Sequence, residues 1–439
     1  MIPGKGSLKK EHRSIPVGDI SALKASVILG ANASGKSNLI KAIDFGRKMI
    51  VRGQADGQII DYKKYRLDNE AMGLDSRMEF EIQASGKNYA YGFVFNNKEI
   101  VEEWLYEISR RTQKMIFERN IKNKQVFDLG PLLKKNPKDE DQQFLRFTAK
   151  GTPNNQLFLR ELKVRNVQAN VQNVDDPINV YNWFLRTLKV IFPNTRYKEG
   201  ILSEITDNER LHLVYEELLK YFGTGVSGVR LTEFDLEKLN IPPKVMEDIK
   251  ENLLNSNSGE ARTILTVNGL ARRDTYIVSR NGEDLKVEKF MTEHRTKQGG
   301  TEVFDTGDES DGTNRIIDFI PLIIDLINDD NVFVIDEMER SLHPNITYDI
   351  FDFFLDFASD RNSQLIATTH ESSLLTQKLF RKDEIWFVVK DEDGASTIYS
   401  LEDYNVRFDK EIRRDYLLGR FKAIPRIGNR YELSINPNA

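Results

Sequence analysis

The order of apolar and polar residues predicts a strand, a helix and an antiparallel sheet in the first quarter of the chain. Residues 25–29 form a short β-branched run, and residues 38–50 carry apolar side chains at helical spacing. Residues 78–82, 89–95 and 100–108 alternate apolar with polar positions and are separated by turn sequences. An antiparallel β-lobe is therefore expected beside the first strand and helix.

The middle of the chain has a different pattern, and an alternation of helices and strands resumes after it. Residues 155–260 look mostly helical, most clearly at 180–191 and 211–222, whereas 263–289 return to strand-like alternation. The elements predicted beyond residue 312 are a helix over 314–327, a strand over 332–335, a helix over 345–358, a strand over 364–368, and a hairpin of 385–390 with 396–401.

Both ends of the chain therefore supply pieces of one α/β core. We expect this core to comprise residues 1–110 and 300–439. Residues 111–299 would then form an insertion, with an edge of the β-lobe followed by a mainly helical lobe.

A glycine-rich loop lies between the first predicted strand and helix. It reads Gly-Ala-Asn-Ala-Ser-Gly-Lys-Ser over residues 30–37, which is the P-loop pattern in the strand–loop–helix setting that it requires. Its glycines let backbone amides turn toward phosphate oxygens at a helix N-terminus. Lys36 is expected to reach the β- and γ-phosphates, and Ser37 to ligate Mg²⁺. The candidate nucleotide-binding residues are Gly30, Asn32, Ala33, Ser34, Gly35, Lys36, Ser37 and Asn38.

Two carboxylates follow the apolar strand 332–335. Asp336 would lie at the carboxyl edge of the sheet and hold Mg²⁺, and Glu337 would act as the general base toward water. A solvated acidic turn after a buried strand is the alternative, and the upstream P-loop makes it the weaker one.

His370 follows the predicted apolar strand 364–368 and comes directly after two threonines, Thr368 and Thr369. A single histidine after a strand is more often structural than catalytic. Its position favours a role at the site, because it follows Asp336 by about one βα unit.

Composition narrows the function classes. The 439 residues carry a formal net charge of −5, contain no cysteine, and include five scattered histidines. Thiolate chemistry and cysteine-based metal sites are thereby excluded. The longest apolar stretch, 316–327, is interrupted by two aspartates and a proline, so a cytoplasmic protein without a membrane span is expected.

A local basic segment, residues 110–138, contrasts with the net charge. It contains nine basic and two acidic side chains, a local charge of +7. Salt-sensitive contact with nucleic acid is one interpretation, and a solvated edge of the β-lobe is the more common one.

These motifs together resemble the ABC-type ATPases of the SMC, RecF and OLD kind, and most closely the RloA-type bacterial ATPases, labelled AAA, that are encoded near phage-defence genes. The resemblance rests on the P-loop and on four further segments, 309–315, 336–344, 368–370 and 416–425. It implies an ATPase head that uses ATP and Mg²⁺.

The same resemblance implies roles for residues outside the P-loop. Ser310 and Gly312 stand where the signature loop stands, which in the family contacts the γ-phosphate bound on the opposite subunit. The segment 341–344 corresponds to the D-loop and His370 to the switch histidine. A homodimer or higher even oligomer would follow, gating a separately encoded effector protein in anti-phage defence. From the residues alone, Ser310 could equally be an ordinary helix cap.

Some features depart from the family pattern. Only 29 residues precede Gly30, whereas the family usually begins with an additional strand. Two interpretations stay open: this chain lacks that first strand, or the gene begins upstream of Met1. Gln83 and Gln156 are the candidates for the Q-loop glutamine. Two other functions stay open: a RecF- or SMC-like DNA-repair clamp, and a scaffold for which ATP binding alone matters.

Overall fold

The protein divides into two compact units. The first comprises residues 1–193, 326–338 and 351–439, and the second comprises residues 194–325 and 339–350. The computed structural model describes residues 1–4, 9–55, 57–121, 126–130, 140–169, 171, 174–195, 197, 208–235, 247–249, 251, 253, 262–268, 273–281, 284–404 and 411–425.

The elements are numbered in chain order. The strands are β1 (Ala25–Gly30), β2 (Ser76–Ala84), β3 (Lys87–Phe95), β4 (Ile100–Ile108), β5 (Gln113–Asn120), β6 (Val126–Asp128), β7 (Leu188–Ile191), β8 (Gly228–Glu233), β9 (Arg262–Asn268), β10 (Arg273–Asn281), β11 (Asp284–Arg295), β12 (Thr301–Asp305), β13 (Val332–Ile335), β14 (Gln364–Thr368), β15 (Ile385–Lys390) and β16 (Ser396–Ser400). The α-helices are α1 (Lys36–Val51), α2 (Asn69–Gly73), α3 (Glu140–Lys150), α4 (Phe158–Val164), α5 (Asp175–Asn182), α6 (Glu209–Tyr221), α7 (Asp311–Asn328), α8 (Pro344–Phe357) and α9 (Ile412–Leu417).

A six-stranded sheet forms the centre of the first unit. Its strand order is β16-β15-β1-β14-β13-β7, and all neighbouring pairs are parallel except β15 with β16. Strands β1 and β13 are buried along their whole length, as expected for the interior of a parallel sheet. Because β1, β14 and β13 are adjacent and parallel, the segments that follow them meet at one edge of the sheet.

One strand of this sheet contradicts the sequence prediction. Residues 180–191 were expected to be helical, but α5 ends at Asn182, a π-helical turn follows, and Leu188–Ile191 form β7. Residues 188–191 form a strand because they pair in parallel with β13. Leu188 lies opposite Val332, and Ile191 lies opposite Ile335. A short apolar run is compatible with either structure until its partner is known.

The predicted meander is confirmed, and β5 and β6 continue it beyond residue 110. Strands β2 to β6 form an antiparallel sheet in sequence order. Its apolar face joins α1, α4 and α5 in one core, in which Phe184 contacts both Phe80 and Tyr91 edge-on. Residues 111–193, which the sequence analysis placed in the insertion, lie in the first unit.

The second unit is mixed in structure where it is described. Strands β12, β11, β10 and β9 form an antiparallel sheet in that order, and β8 pairs with β11. The predicted helix over 211–222 is present as α6, and the strand-like alternation over 263–289 corresponds to β9, β10 and β11. Residues 228–233, which lie in the stretch expected to be mostly helical, form β8 instead, because they pair with β11. Across both units, no described helix is both long and apolar enough to cross a bilayer.

Candidate active site

The loop between β1 and α1 has the backbone geometry of a phosphate cradle. Gly35 has a φ of 107° and Ala33 a φ of 61°, which are left-handed backbone conformations of the kind found in anion-binding loops. A side chain at Gly30 would come within 2.5 Å of the Val388 carbonyl oxygen on β15, and this close approach requires glycine. Asn32 and Ala33 are exposed at the tip, and Asn38 is exposed in the first turn of α1.

The Ser34 hydroxyl is an unsatisfied polar group inside this loop. The residue is 3% exposed, and its Oγ has no hydrogen-bond partner among the described residues. A buried hydroxyl without a partner costs free energy in a folded protein. The loop therefore fits a phosphate group, whose oxygens would accept this hydrogen bond.

Lys36 extends from the start of α1 back across the loop. Its Nζ donates to the carbonyl oxygens of Gly30 at 2.8 Å and Ala31 at 3.1 Å. The same nitrogen lies 3.5 Å from Nδ1 of His370, whose ring is exposed after β14. The structure thus brings the predicted cationic and sensor residues together, although they are 334 positions apart.

A hydroxyl and a carboxylate meet beside this lysine. The Ser37 hydroxyl donates to Oδ1 of the buried Asp336 at 3.1 Å. Hard oxygen ligands of this type suit Mg²⁺, which binds proteins through one or two carboxylates and completes its shell with water and phosphate oxygens. Ser37 and Asp336 therefore fit the predicted metal-binding role.

Glu337 occupies an unusual backbone conformation directly after Asp336. Its φ is 50°, in the left-handed region that non-glycine residues rarely adopt. Its backbone N–H donates to the Thr368 hydroxyl at 2.9 Å, and its side chain is partly exposed. Strained residues of this kind concentrate at functional sites.

Sequence reasoning missed Thr368, the last residue of β14. Its side chain is fully buried, and its hydroxyl donates to Asp336 Oδ1 at 2.7 Å. The available signal was the threonine pair before His370, but the role of that pair depends on β14 lying beside β13.

Ser310 and Gly312 lie in the second unit at the start of α7. The Ser310 hydroxyl accepts the Thr313 backbone N–H at 3.1 Å, so the capping interpretation is correct as far as the local structure goes. Ser310 itself is exposed, and a Cβ on Gly312 would lie 3.1 Å from the Ser341 carbonyl oxygen. The role of both residues at a nucleotide site stays a prediction.

Neither Q-loop candidate has a hydrogen bond to the P-loop or to Asp336 within the described part of the chain. The Gln83 amide donates to the Ile20 carbonyl oxygen at 3.1 Å. Gln156 is buried, and its amide donates to the Gln54 carbonyl oxygen. Both therefore have structural partners.

The basic segment 110–138 is less continuous than its sequence suggested. Arg119 is 8% exposed and donates to the Gln156 carbonyl oxygen at 2.8 Å, so it does not contribute to a surface patch. Burial lowers the pKa of Arg119, and the nearby Glu103 carboxylate raises it by a smaller amount. Arg110, Arg111 and Lys114 are exposed. Residues 122–125 and 131–139, which hold the other lysines, lie outside the described residues.

Comparison with known proteins gives a family match. A family model described as "AAA domain, putative AbiEii toxin, Type IV TA system" matches residues 25–376. No curated protein matches the chain. Together with the strand order, the family match confirms the predicted fold class, a P-loop NTPase head of the ABC type with an antiparallel β-lobe.

Similar solved structures include heads of SMC proteins. One is the "SmcHead bound to the C-winged helix domain of ScpA", which is 12% identical, with 86% of this chain and 90% of that chain covered and a TM-score of 0.34. Another is the "SMC head domain from Thermotoga maritima", also 12% identical, with 89% and 96% covered and a TM-score of 0.30.

Proposed function

Since the chain belongs to this family of AAA domains, we propose that it is a magnesium-dependent ATP hydrolase. The observation that carries the proposal is the contact between the Ser37 hydroxyl and the Asp336 carboxylate, which joins residues 299 positions apart. Lys36 precedes Ser37 and lies 3.5 Å from His370, and Glu337 follows Asp336 directly. This is the set of groups that P-loop phosphoryl transfer requires.

The chain's own residues would bind and polarise the triphosphate. The backbone amides of the P-loop and the Ser34 hydroxyl would donate to phosphate oxygens, and the Lys36 ammonium would stabilise charge on the β- and γ-phosphates. Ser37 and Asp336 would hold Mg²⁺, which would supply positive charge to the β- and γ-phosphates.

Glu337 is assigned as the general base. It would accept a proton from water as the water oxygen bonds to the γ-phosphorus and the bond from that phosphorus to the ADP oxygen breaks. The products are ADP and inorganic phosphate. His370 would contact the γ-phosphate and report its presence, because its ring is exposed next to Lys36.

We further propose that ATP joins two copies of the chain. The exposed Ser310 and the adjacent Gly312 would contact the γ-phosphate held by the partner copy, where the α7 N-terminus favours an anion. The family description as an AbiEii-like protein of a type IV toxin–antitoxin system supports a role in abortive infection. In this proposal the ATPase acts in the cytoplasm and controls a separately encoded effector, as in RloA-type defence systems.

The variant Glu337→Gln tests the proposed ATP hydrolysis and, in a second experiment, the proposed control of an effector. It should bind a fluorescent ATP analogue as the wild type does and hydrolyse ATP about 100-fold more slowly, since a general base contributes on the order of 10²–10⁴-fold. Glu79→Gln, an exposed carboxylate on β2, is the matched control and should keep the wild-type rate. Wild-type hydrolysis by Glu337→Gln would refute the assignment of the base.

The native mass of Glu337→Gln in ATP, after co-expression with neighbouring genes, tests the proposed control of an effector. A second polypeptide bound to a dimer or its multiple supports control of an effector. A homodimer alone would favour the DNA-clamp alternative, with Arg110, Arg111 and Lys114 as the first residues to change.

A further inference from the structure

Thr368 makes hydrogen bonds to two residues of the candidate site, the predicted metal ligand Asp336 and the predicted general base Glu337. Its hydroxyl donates to Asp336 Oδ1 at 2.7 Å and accepts the Glu337 backbone N–H at 2.9 Å. A threonine hydroxyl has one donor, so these two bonds assign its proton to the carboxylate. Thr368 and Asp336 are both buried, which shields the bond between them from water.

The first bond orients the carboxylate that is predicted to hold the metal. Asp336 Oδ1 accepts from Ser37 at 3.1 Å and from Thr368 at 2.7 Å, and the two donors come from different elements, α1 and β14. Two donors on one oxygen limit the rotation of the carboxylate. Groups that hydrogen-bond a metal ligand in this way tune the geometry and affinity of the site.

The second bond holds the backbone from which the general base extends. Glu337 has a φ of 50°, a conformation that costs free energy and persists only where its surroundings impose it. The segment is tied to β14 twice, because the Thr368 carbonyl oxygen also accepts the Met338 N–H at 3.1 Å. Of these two hydrogen bonds, only the one to the Thr368 hydroxyl is made by Glu337 itself.

We propose that Thr368 is a positioning residue for ATP hydrolysis, which orients the Asp336 carboxylate and fixes the backbone of Glu337. This inference rests on the proposed ATPase function. It adds a residue that touches neither nucleotide nor metal and acts through two residues that do.

The test compares Thr368→Val, which keeps the shape and removes the hydroxyl, with Thr368→Ser, which keeps the hydroxyl. Thr368→Val should lower kcat about 10-fold to 100-fold and raise the half-saturating Mg²⁺ concentration by a similar factor, the range seen when a group supporting a metal ligand is lost. Thr368→Ser should have a kcat and a half-saturating Mg²⁺ concentration close to those of the wild type. KM for ATP should change little, because the P-loop is untouched.

Thr347→Val is the matched control. Thr347 is also fully buried, and its hydroxyl has no hydrogen-bond partner among the described residues. The variant Thr347→Val should therefore hydrolyse ATP at the wild-type rate and show the wild-type Mg²⁺ dependence. A melting curve of each variant separates loss of function from loss of fold.

Two further measurements keep the inference and the proposed function distinguishable. If the wild type hydrolyses ATP and Thr368→Val has the wild-type kcat and Mg²⁺ dependence, the positioning role is wrong and the ATPase proposal stands. If the wild type does not hydrolyse ATP, the Mg²⁺ dependence of ATP-analogue binding still decides the role of Thr368. If Thr368→Val does not fold, Thr368→Ser and Thr368→Cys replace it, since they are similar in size and differ in hydrogen bonding; equal rates for these two would overturn the inference.

Discussion

At the scale of single residues, the site is marked by backbone strain. Ala33, Gly35 and Glu337 all have positive φ, at 61°, 107° and 50°. For the two that are not glycine, such a conformation costs on the order of 1–3 kcal/mol each. Local contacts compensate, for example the Ser34 N–H to the Ala31 carbonyl oxygen and the Glu337 N–H to Thr368. The amides of the loop are therefore oriented before any phosphate arrives, which lowers the cost of binding it.

This reasoning predicts a specific effect of Gly35→Ala. The new Cβ would overlap the Ser396 hydroxyl on β16 and would hold an unfavourable φ, so the loop must shift. ATP-analogue affinity should fall at least about 10-fold, and stability should fall by about 1–3 kcal/mol. Fluorescence binding and urea denaturation measure the two effects.

Gly86→Ala provides the control for this change. Gly86 has a φ of 76° in the β2–β3 turn, and a Cβ there would have no neighbour within 4 Å. The variant Gly86→Ala should lose stability only because alanine disfavours this φ, and it should bind the ATP analogue as the wild type does. Adding Ser396→Gly to Gly35→Ala should recover part of the affinity, and wild-type affinity in Gly35→Ala itself would contradict the prediction.

At the scale of elements, one buried carboxylate connects the β-lobe with α4. Glu103 on β4 accepts the backbone N–H groups of Phe158 at 2.7 Å and Leu159 at 3.0 Å. It also accepts the Tyr91 hydroxyl at 2.9 Å and lies 3.7 Å from Arg119. Burial raises the pKa of Glu103, and Arg119 with the backbone N–H groups acts in the opposite direction. The carboxylate thus satisfies donors of the first turn of α4, which would otherwise be unpaired in the core.

We expect Glu103→Ala to lower the free energy of unfolding by about 3–5 kcal/mol, because it leaves the buried Arg119 guanidinium without its counter-charge and the helix donors without their acceptor. Glu102→Ala is the control, since Glu102 is only partly buried and accepts one bond from Asn120. It should cost no more than about 1.5 kcal/mol. All three tryptophans, at positions 104, 183 and 386, lie in the first unit, so urea unfolding followed by tryptophan fluorescence reports on that unit. Equal effects of the two variants would contradict the role of Glu103.

The elements also show where sequence reasoning succeeds and where it ends. The P-loop was predictable because its glycines, lysine and serine are contiguous and act through local backbone geometry. Strand β7 was not, because four apolar residues become a strand only through pairing with β13. Arg119 was counted as a surface charge because its partner Glu103 lies on the neighbouring strand, and Thr368 was missed because its hydroxyl acts on another strand.

At the scale of the whole molecule, the proposed reaction depends on both units. The first unit contains the contacts of Lys36 with His370 and of Ser37 with Asp336, and the second contains Ser310 and Gly312. In the proposed dimer, each nucleotide site takes its P-loop from one copy and its Ser310 from the other. Such a two-fold arrangement makes a quantitative prediction, because defects in the two parts should complement one another when placed on different copies.

We expect Lys36→Ala and Ser310→Asp each to be inactive alone and to recover activity when mixed. Aspartate keeps the helix cap at the start of α7 and places a negative charge against the phosphate, while Ser310→Thr keeps the cap without that charge and should stay active. After equal mixing, random pairing makes half of the dimers mixed, and each mixed dimer has one complete site. The mixture should therefore reach about a quarter of the wild-type rate per chain if the sites act independently. Steady-state phosphate release measures this, and native mass measurement in ATP shows whether the dimers form. If both variants form mixed dimers and the mixture stays as inactive as its components, each site is completed within one copy and the exchange of Ser310 between copies is wrong.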